Sequence, residues 1–286
     1  MLPHFNFLTE KRIDHIVIQS KEIFSLIRNL NPNKATRPDE IFGQMLLICD
    51  NSVVLPLKII FENILKTSIY PEMWKHANVT PIYKKSDKQL IKNYRPISLL
   101  PICGKMFEKI IFNNLYHYLN ANNLITKNQS GFRPGDSTTN QLLYLVNEIH
   151  EAFDNPRSLD GRAVFLDISK AFDKVWHDGL MFKLRQNGIH GGLLKLFENY
   201  LHNRKQRVVI NGSYSDFSII ESGVPQGSVL GPLLFLIYIN DLETNVKSNI
   251  KFCADDTMLF SIVKSPVLSA ADLNHDLDII SRWAYQ

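Results

Sequence analysis

Phe252-Cys253-Ala254-Asp255-Asp256-Thr257-Met258-Leu259-Phe260 sets two adjacent acids between two apolar runs. As a β-hairpin, residues 251–254 form one strand, the acids make a two-residue turn, and residues 257–262 return. Asp suits a turn because its short side chain bonds nearby backbone. A turn on a rigid sheet also projects a carboxylate to where a cation can meet it. Paired acids in a turn usually do no more than solvate it. The stretch gains meaning only if the chain also supplies a third carboxylate, a phosphate site and a nucleic-acid groove.

The chain has 286 residues, 45% hydrophobic and 21% charged, enough for one large domain or two packed ones. A net charge of +4 permits a nucleic-acid partner without demonstrating one. Cys49, Cys103 and Cys253 are odd in number and far apart, which gives no zinc or disulfide pattern and points to a reducing compartment. No unbroken apolar run reaches the roughly 20 residues that span a bilayer. The start, Met1-Leu-Pro-His-Phe-Asn6, lacks the basic and apolar regions of a signal peptide. These features predict a soluble intracellular chain with no membrane partner, and they leave the oligomeric state unread.

Apolar spacing predicts helices over 13–30, 39–49, 53–65, 105–120, 139–153, 179–187, 193–201, 233–242 and 272–283. Residues 77–83 read as a strand, followed by a basic loop, Lys84 to Arg95, and a second extended stretch, Pro96 to Leu100. Residues 207–210 and 216–220 flank Asn211-Gly212, a hairpin signal. Residues 162–168 form a continuous apolar run, the pattern of a central strand, and carry Asp167 near their end. A buried acid there costs several kcal/mol unless a cation or donors meet it. Helices early and mixed elements later indicate an α+β fold. Two strands side by side, one ending in Asp167 and one turning at Asp255-Asp256, would bring three carboxylates together. Such a cluster repels itself unless divalent metal neutralises it, and two Mg²⁺ ions would then activate an attacking oxygen and stabilise a leaving pyrophosphate. The plainer alternative has Asp167 capping the following helix.

Five motifs in order carry a resemblance: Asn93-Tyr-Arg-Pro-Ile-Ser-Leu-Leu100, Gln129-Ser-Gly-Phe-Arg-Pro-Gly-Asp-Ser-Thr138, Phe165-Leu-Asp-Ile-Ser-Lys-Ala-Phe-Asp-Lys-Val-Trp-His177, Gly223-Val-Pro-Gln-Gly-Ser-Val-Leu-Gly-Pro232 and Ala254-Asp-Asp-Thr257. Over roughly residues 10–286 the chain resembles the reverse transcriptase of non-LTR, LINE-type retrotransposons of the jockey-like group. The resemblance implies an α+β right-hand polymerase with fingers and palm, the thumb missing: residues 1–75 an N-terminal helical extension and entry to the fingers, 76–160 the fingers, 161–286 the palm. It implies an RNA-directed DNA polymerase that uses two Mg²⁺ ions (Mn²⁺ as a substitute), an RNA template, a DNA primer and deoxynucleoside triphosphates, in the nucleus and cytoplasm.

Residue by residue, the resemblance makes Asp167 and Asp255 metal ligands and Asp256 the adjacent acid, with the Ile168 carbonyl completing a metal's shell. Ser169 and Lys170 would turn backbone amides to the triphosphate. Phe172 would pack under the sugar and exclude a 2′-hydroxyl, and Gln226 would touch the sugar and buttress the template. Lys84 or Lys85, with Arg95, would neutralise the triphosphate. Arg133 would contact template or hold its own loop, and Arg204, Lys205 and Arg207 would line the nucleic-acid side through salt-dependent phosphate contact.

Three departures from the family pattern favour a second reading, an inactive truncated remnant that binds nucleic acid weakly. Cys253 stands where the family commonly has a Tyr packed against the primer end. Lys34-Ala-Thr-Arg37-Pro-Asp-Glu40 has Arg37 and Glu40 where the family has Gly. The chain also ends at Trp283-Ala-Tyr-Gln286, ahead of the family's further palm motifs and thumb.

Overall fold

The structure, a computed structural model, describes residues 9–32, 38–154, 160–263 and 265–285. Arg37 falls outside the described residues. The helices are α1 (Ser20–Arg28), α2 (Gly43–Cys49), α3 (Val54–Thr67), α4 (Ile102–Ala121), α5 (Thr138–Asp154), α6 (His177–Gln186), α7 (Gly191–Leu201), α8 (Gly231–Ile239) and α9 (Pro266–Ala284). The strands are β1 (His76–Tyr83), β2 (Tyr94–Leu99), β3 (Asp160–Asp167), β4 (Arg204–Ile210), β5 (Ser213–Tyr214), β6 (Ser218–Ile220), β7 (Asn249–Cys253) and β8 (Asp256–Val263). The fold is α+β, as expected. The described residues divide into two compact units, one within 123–171 and 236–286, the other within 5–122 and 172–235.

The first unit is a three-stranded antiparallel sheet, β3-β8-β7, covered by helices. Ile250, Phe252, Leu259, Leu242 and Leu273 form its core, with Val164, Leu277 and Trp283 packed against them. β8 is central because its residues 257–260 are all buried. β3 is an edge strand, which corrects the expectation of a central one. Its apolar run alternates in exposure, and Phe165 is 75% exposed. Asp276, fully buried on α9, accepts the Lys247 and Ser248 N–H groups at 2.9 and 2.8 Å and so fixes the approach to β7.

The second unit holds a mixed sheet of order β2-β1-β4-β5, with β6 also on β4. β1 runs parallel to β4 and antiparallel to β2. Asn211 and Gly212 both take positive φ, 50° and 80°, the turn that matches strand twist. The return therefore starts at once as β5 rather than at residue 216. Tyr70 meets Tyr200 edge-on at 5.0 Å, and Phe61 meets Phe107 at 5.3 Å, which centres the core on aromatic rings. The helix expected over 13–30 is helical only from Ser20. Before it, Ile16 and Ile18 are buried while Val17 is 69% exposed, a period of two, and Ile13 bridges Ile189.

Residues 43–67 form a 25-residue helical stretch of mean hydropathy 1.5, long and apolar enough by composition to cross a membrane, which the sequence reading did not register. It is broken at Asp50, whose φ of 45° ends α2, and one stripe of it (Leu46, Leu57, Phe61, Ile64) is buried in the unit.

His177 opens α6, and its Nε2 lies 2.8 Å from the Gly223 carbonyl in a buried setting. Burial pushes its pKa below the usual 6.5, outweighing the Gly223 contact, which acts upward. The folded chain thus holds His177 neutral while the unfolded chain takes up a proton. Its contribution to stability is present above pH 6.5 and is lost as pH falls through the lowered folded value. Urea unfolding midpoints are expected to drop on acidification below pH 6.5 and to drop less in His177→Gln. Equal acid sensitivity in both proteins would remove His177 as a cause.

Candidate active site

β7 runs through Cys253 and β8 starts at Asp256, so the turn residues are Ala254 and Asp255 rather than the two acids. Asp256 belongs to the ladder because it pairs on both sides, with Cys253 and with Asp167. Ala254 takes φ 59°, a value that usually falls to Gly. An alanine there costs about 1–2 kcal/mol, so its surroundings must hold it.

Directly opposed residues in an antiparallel pair point to one face. Asp167, Asp256 and Cys253 therefore form a row across β3, β8 and β7, with Asp255 next in the turn. The third carboxylate thus lies beside the paired acids, as expected, though Asp167 and Asp256 are exposed rather than buried. On an edge strand Asp167 keeps its water and carries no burial cost. Burial pushes the half-buried Cys253 thiol up in pKa, and the negative charges of Asp256, Asp255 and Asp136 push it the same way. Carboxylate oxygens are the donors hard divalent cations take. Among the described residues no three acid, His or Cys side chains converge closely enough to hold an ion. The acids fit Mg²⁺ in donor type and strand register.

β3 ends in a turn where Ile168 O accepts the Ala171 N–H at 3.1 Å and Lys170 sits at φ 56°. Left-handed turns of this kind aim successive N–H groups outward. One lone pair of the Ile168 carbonyl is therefore already used.

In the second unit, Arg95 on β2 opposes Ile82 on β1, and the Lys84 N–H donates to Asn93 O at 2.8 Å, extending the ladder. Side chains alternate along a strand, so Lys84, whose backbone continues the ladder, shares the face of Ile82 and Arg95, while Lys85 lies in the bend that follows. All three cations are exposed. The Gly223–Ser228 turn docks on the same strand: Ser98 N donates to Gln226 O at 2.7 Å. Gln226 Nε2 donates to Asp173 Oδ1 at 3.1 Å. Gly223, at φ 87°, lies so close that a Cβ would sit 2.7 Å from Asp173 Cα. Phe172 stacks on Phe235 at 4.8 Å, half-buried, and its carbonyl accepts the Val224 N–H. Arg95, Phe172 and Gln226 are thus joined by backbone contacts within one unit.

Arg204 is placed otherwise than expected, whereas Arg133 takes the second of the two roles expected of it. Arg204 is 2% exposed, and its guanidinium donates to the Tyr200 and Trp74 carbonyls and lies over the Tyr200 ring. Its position at the first residue of β4 faces the core, which removes it from any phosphate surface. Arg133 donates to Thr126 O at 3.0 Å and Gln129 O at 3.4 Å, holding its own loop. Arg207 is half-buried, bonded to Asn78 Oδ1 at 2.9 Å and lying over Tyr214 and Phe217. Residues given no role from sequence also contribute: Asp173, which orients Gln226, and Gln129, which bonds the Ala254 turn. The Gln129-x-Gly131 spacing was visible, but only the distant turn it meets gives it meaning.

Residues 82–286 match the reverse transcriptase (RNA-dependent DNA polymerase) family, and the chain belongs to that family. It is 33% identical over 273 residues to the RNA-directed DNA polymerase from mobile element jockey of Drosophila melanogaster, covering 92% of this chain and 30% of that relative. From the same species, the probable RNA-directed DNA polymerase from transposon BS is 36% identical over 228 residues, 79% of this chain and 25% of the relative. The probable polymerase from transposon X-element is 35% identical over 225 residues, 77% and 24%. The chain spans about 30% or less of the length of these relatives. The resemblance drawn from the motifs is borne out.

Proposed function

We propose that this chain carries the fingers and palm of an RNA-directed DNA polymerase, adding deoxynucleotides to a primer along an RNA template. The observation that carries the proposal is the pairing of Asp167 with Asp256, with Asp255 in the adjacent turn. Asp167 and Asp255, with Asp256 beside them, would hold two Mg²⁺ ions. Bound Mg²⁺ would lower the pKa of the attacking hydroxyl and stabilise charge on the leaving pyrophosphate. The chain's own groups bind and orient the substrates. The Ser169 and Lys170 amides, Lys84 and Arg95 meet the triphosphate, with Arg95 supplying a bidentate fork. The Phe172 ring, held by its stack on Phe235, packs under the sugar and leaves no room for a 2′-hydroxyl. Gln226, fixed by Asp173 and Ser98, faces the sugar. Lys205 and Arg207 contribute phosphate contacts, and recognition of the template rests on A-form shape.

Primer extension on an RNA template with Mg²⁺ tests this, and absence of extension by the parent chain counts against it. Arg95→Ala is expected to raise KM for deoxynucleotides about tenfold or more, since a charge-assisted contact contributes about 1.5–3 kcal/mol. An unchanged KM would detach Arg95 from the triphosphate.

One observation favours a second reading, a relative that keeps the fold without the activity. Glu40 stands at φ 57°, where the family pattern has Gly, and carries the strain such a substitution implies. The same extension assay separates the two.

A further inference from the structure

The Ala254–Asp255 turn is gripped by a segment more than a hundred residues away in sequence. Gln129 is 2% exposed. Its Oε1 accepts the Ala254 N–H at 2.9 Å and the Gly131 N–H at 2.8 Å, and its Nε2 donates to Ala254 O at 3.3 Å. Both polar groups of the Ala254 residue are therefore bonded to one side chain. On either side of Gln129 the backbone adds itself to β7: Phe252 N donates to Asn128 O at 2.8 Å and Ser130 N to Phe252 O at 2.9 Å, a parallel bridge. Gly131 then passes so close that a Cβ there would sit 2.1 Å from Ala254 N and 2.8 Å from Cys253 C. No side chain fits at 131 without moving the backbone of the turn.

The gripping segment is itself anchored. Arg133 donates to the Thr126 and Gln129 carbonyls, Thr126 N donates to Asn240 Oδ1 at 2.8 Å, and Asn128 Nδ2 to Glu243 Oε2 at 2.8 Å. It is thus a fixed jaw rather than a loop that follows the turn.

We infer that Gln129 is a positioning residue: it holds Ala254 in its left-handed conformation and thereby sets the direction of Asp255. Ala254 gives up about 1–2 kcal/mol to adopt that backbone. Three hydrogen bonds of about 1 kcal/mol each offset it, and two of them fall on the strained residue. Without them the turn relaxes towards conformations an alanine prefers, and the following carboxylate turns with it. Gln129 itself touches neither substrate nor metal in this scheme. The catalytic consequence rests on the polymerase reading above, whereas the structural clamp does not.

Hydrogen exchange and steady-state kinetics on the full chain test the two parts separately. Gln129→Met keeps the side-chain length and removes the bonds. The Ala254 amide is expected to exchange on the order of tenfold or more faster, with the β8 amides unchanged. The kcat for extension is expected to fall by up to about a hundredfold, with KM for deoxynucleotides within about twofold, because a misplacement near 1 Å costs on that scale. Gln129→Glu keeps an acceptor for both amides and is expected to retain most of the Ala254 protection, which guards against failure of the Met variant to fold. Unchanged Ala254 exchange in Gln129→Met overturns the clamp. Faster exchange with unchanged kcat overturns its positioning role. If the parent does not extend a primer while its Ala254 amide responds as described, the polymerase reading fails and the clamp stands.

Discussion

Asp255→Asn is expected to cut primer extension by about a thousandfold if, as proposed, Asp255 is a charged ligand of a two-metal site, since its loss would forfeit several kcal/mol of charge stabilisation. The same substitution is expected to leave the fold about as stable as before. Asn keeps the size of Asp and tolerates turns. Asp167 and Asp256 stand opposite each other at one end of the β3-β8-β7 sheet, with Asp255 in the adjacent turn. Activity and stability should therefore move apart, an outcome that general damage to the fold cannot produce. Asp167→Asn should behave alike. Asp256→Asn is the informative third member, because Asp256, not Asp255, stands opposite Asp167. If Asp256→Asn costs as much as Asp255→Asn, both acids take part. Extension unaffected by Asp255→Asn, in a chain whose parent extends, would remove Asp255 from the site. The readouts are extension rates at saturating nucleotide and urea midpoints without Mg²⁺.

Much of this arrangement was legible in the chain. The acids, the Asn211-Gly212 hairpin and most helices follow from local signals: turn chemistry, periodicity of 3.6, and apolar runs. Element ends were less legible. The turn moved by one residue because Asp256 answers to partners on two other strands, and no local rule at Asp255-Asp256 contains that. β3 read as central because its sequence is apolar on both faces. Exposure of Phe165 shows that an apolar run does not of itself bury a strand. Residues 13–19 kept a pattern compatible with a helix, yet pairing of Ile13 with Ile189 drew them out into extended backbone. Arg204 was legible as basic and not as buried: it follows α7 closely, and the carbonyl of Tyr200, four residues back, takes its guanidinium inward. In each case the missing information was tertiary, a partner far along the chain.

Glu108→Ala is expected to lower the unfolding free energy by about 3–5 kcal/mol, the range for removing one side of a buried charged network. Glu108 lies on α4 and is 1% exposed. Its Oε1 accepts the Tyr70 and Tyr200 hydroxyls, each at 3.3 Å, and its Oε2 accepts the Val229 and Leu230 amides at 2.7 and 3.2 Å. Four donors thus converge on one buried carboxylate. Burial pushes both tyrosine hydroxyls up in pKa, and the nearby negative charge of Glu108 does likewise, so they remain donors across the usable pH range. Truncation strands all four donors away from water, and the cost of an unmet buried donor exceeds the gain from a made bond. Glu108→Gln should cost less, about 1–3 kcal/mol, because one acceptor survives while an NH₂ group now faces donors. Tyr70→Phe removes a single donor and leaves the rest intact. Combined with Glu108→Ala it should recover part of the loss, since it removes a donor that the truncation leaves stranded. On the role proposed for Gln226, the network also bears on function. Val229 and Leu230 stand at the entry to α8, directly after the turn that holds Gln226, and Lys105 on α4 donates to Gly227 O at 2.8 Å. α4 therefore sets the height of that turn on β2. In Glu108→Gln, which should stay folded, KM for deoxynucleotides is expected to rise as the Gln226 turn loosens. Urea denaturation reads the first effect and extension kinetics the second. An unchanged urea midpoint in Glu108→Ala would mean that water reaches these donors and that α4 and α8 are held together by apolar contact alone.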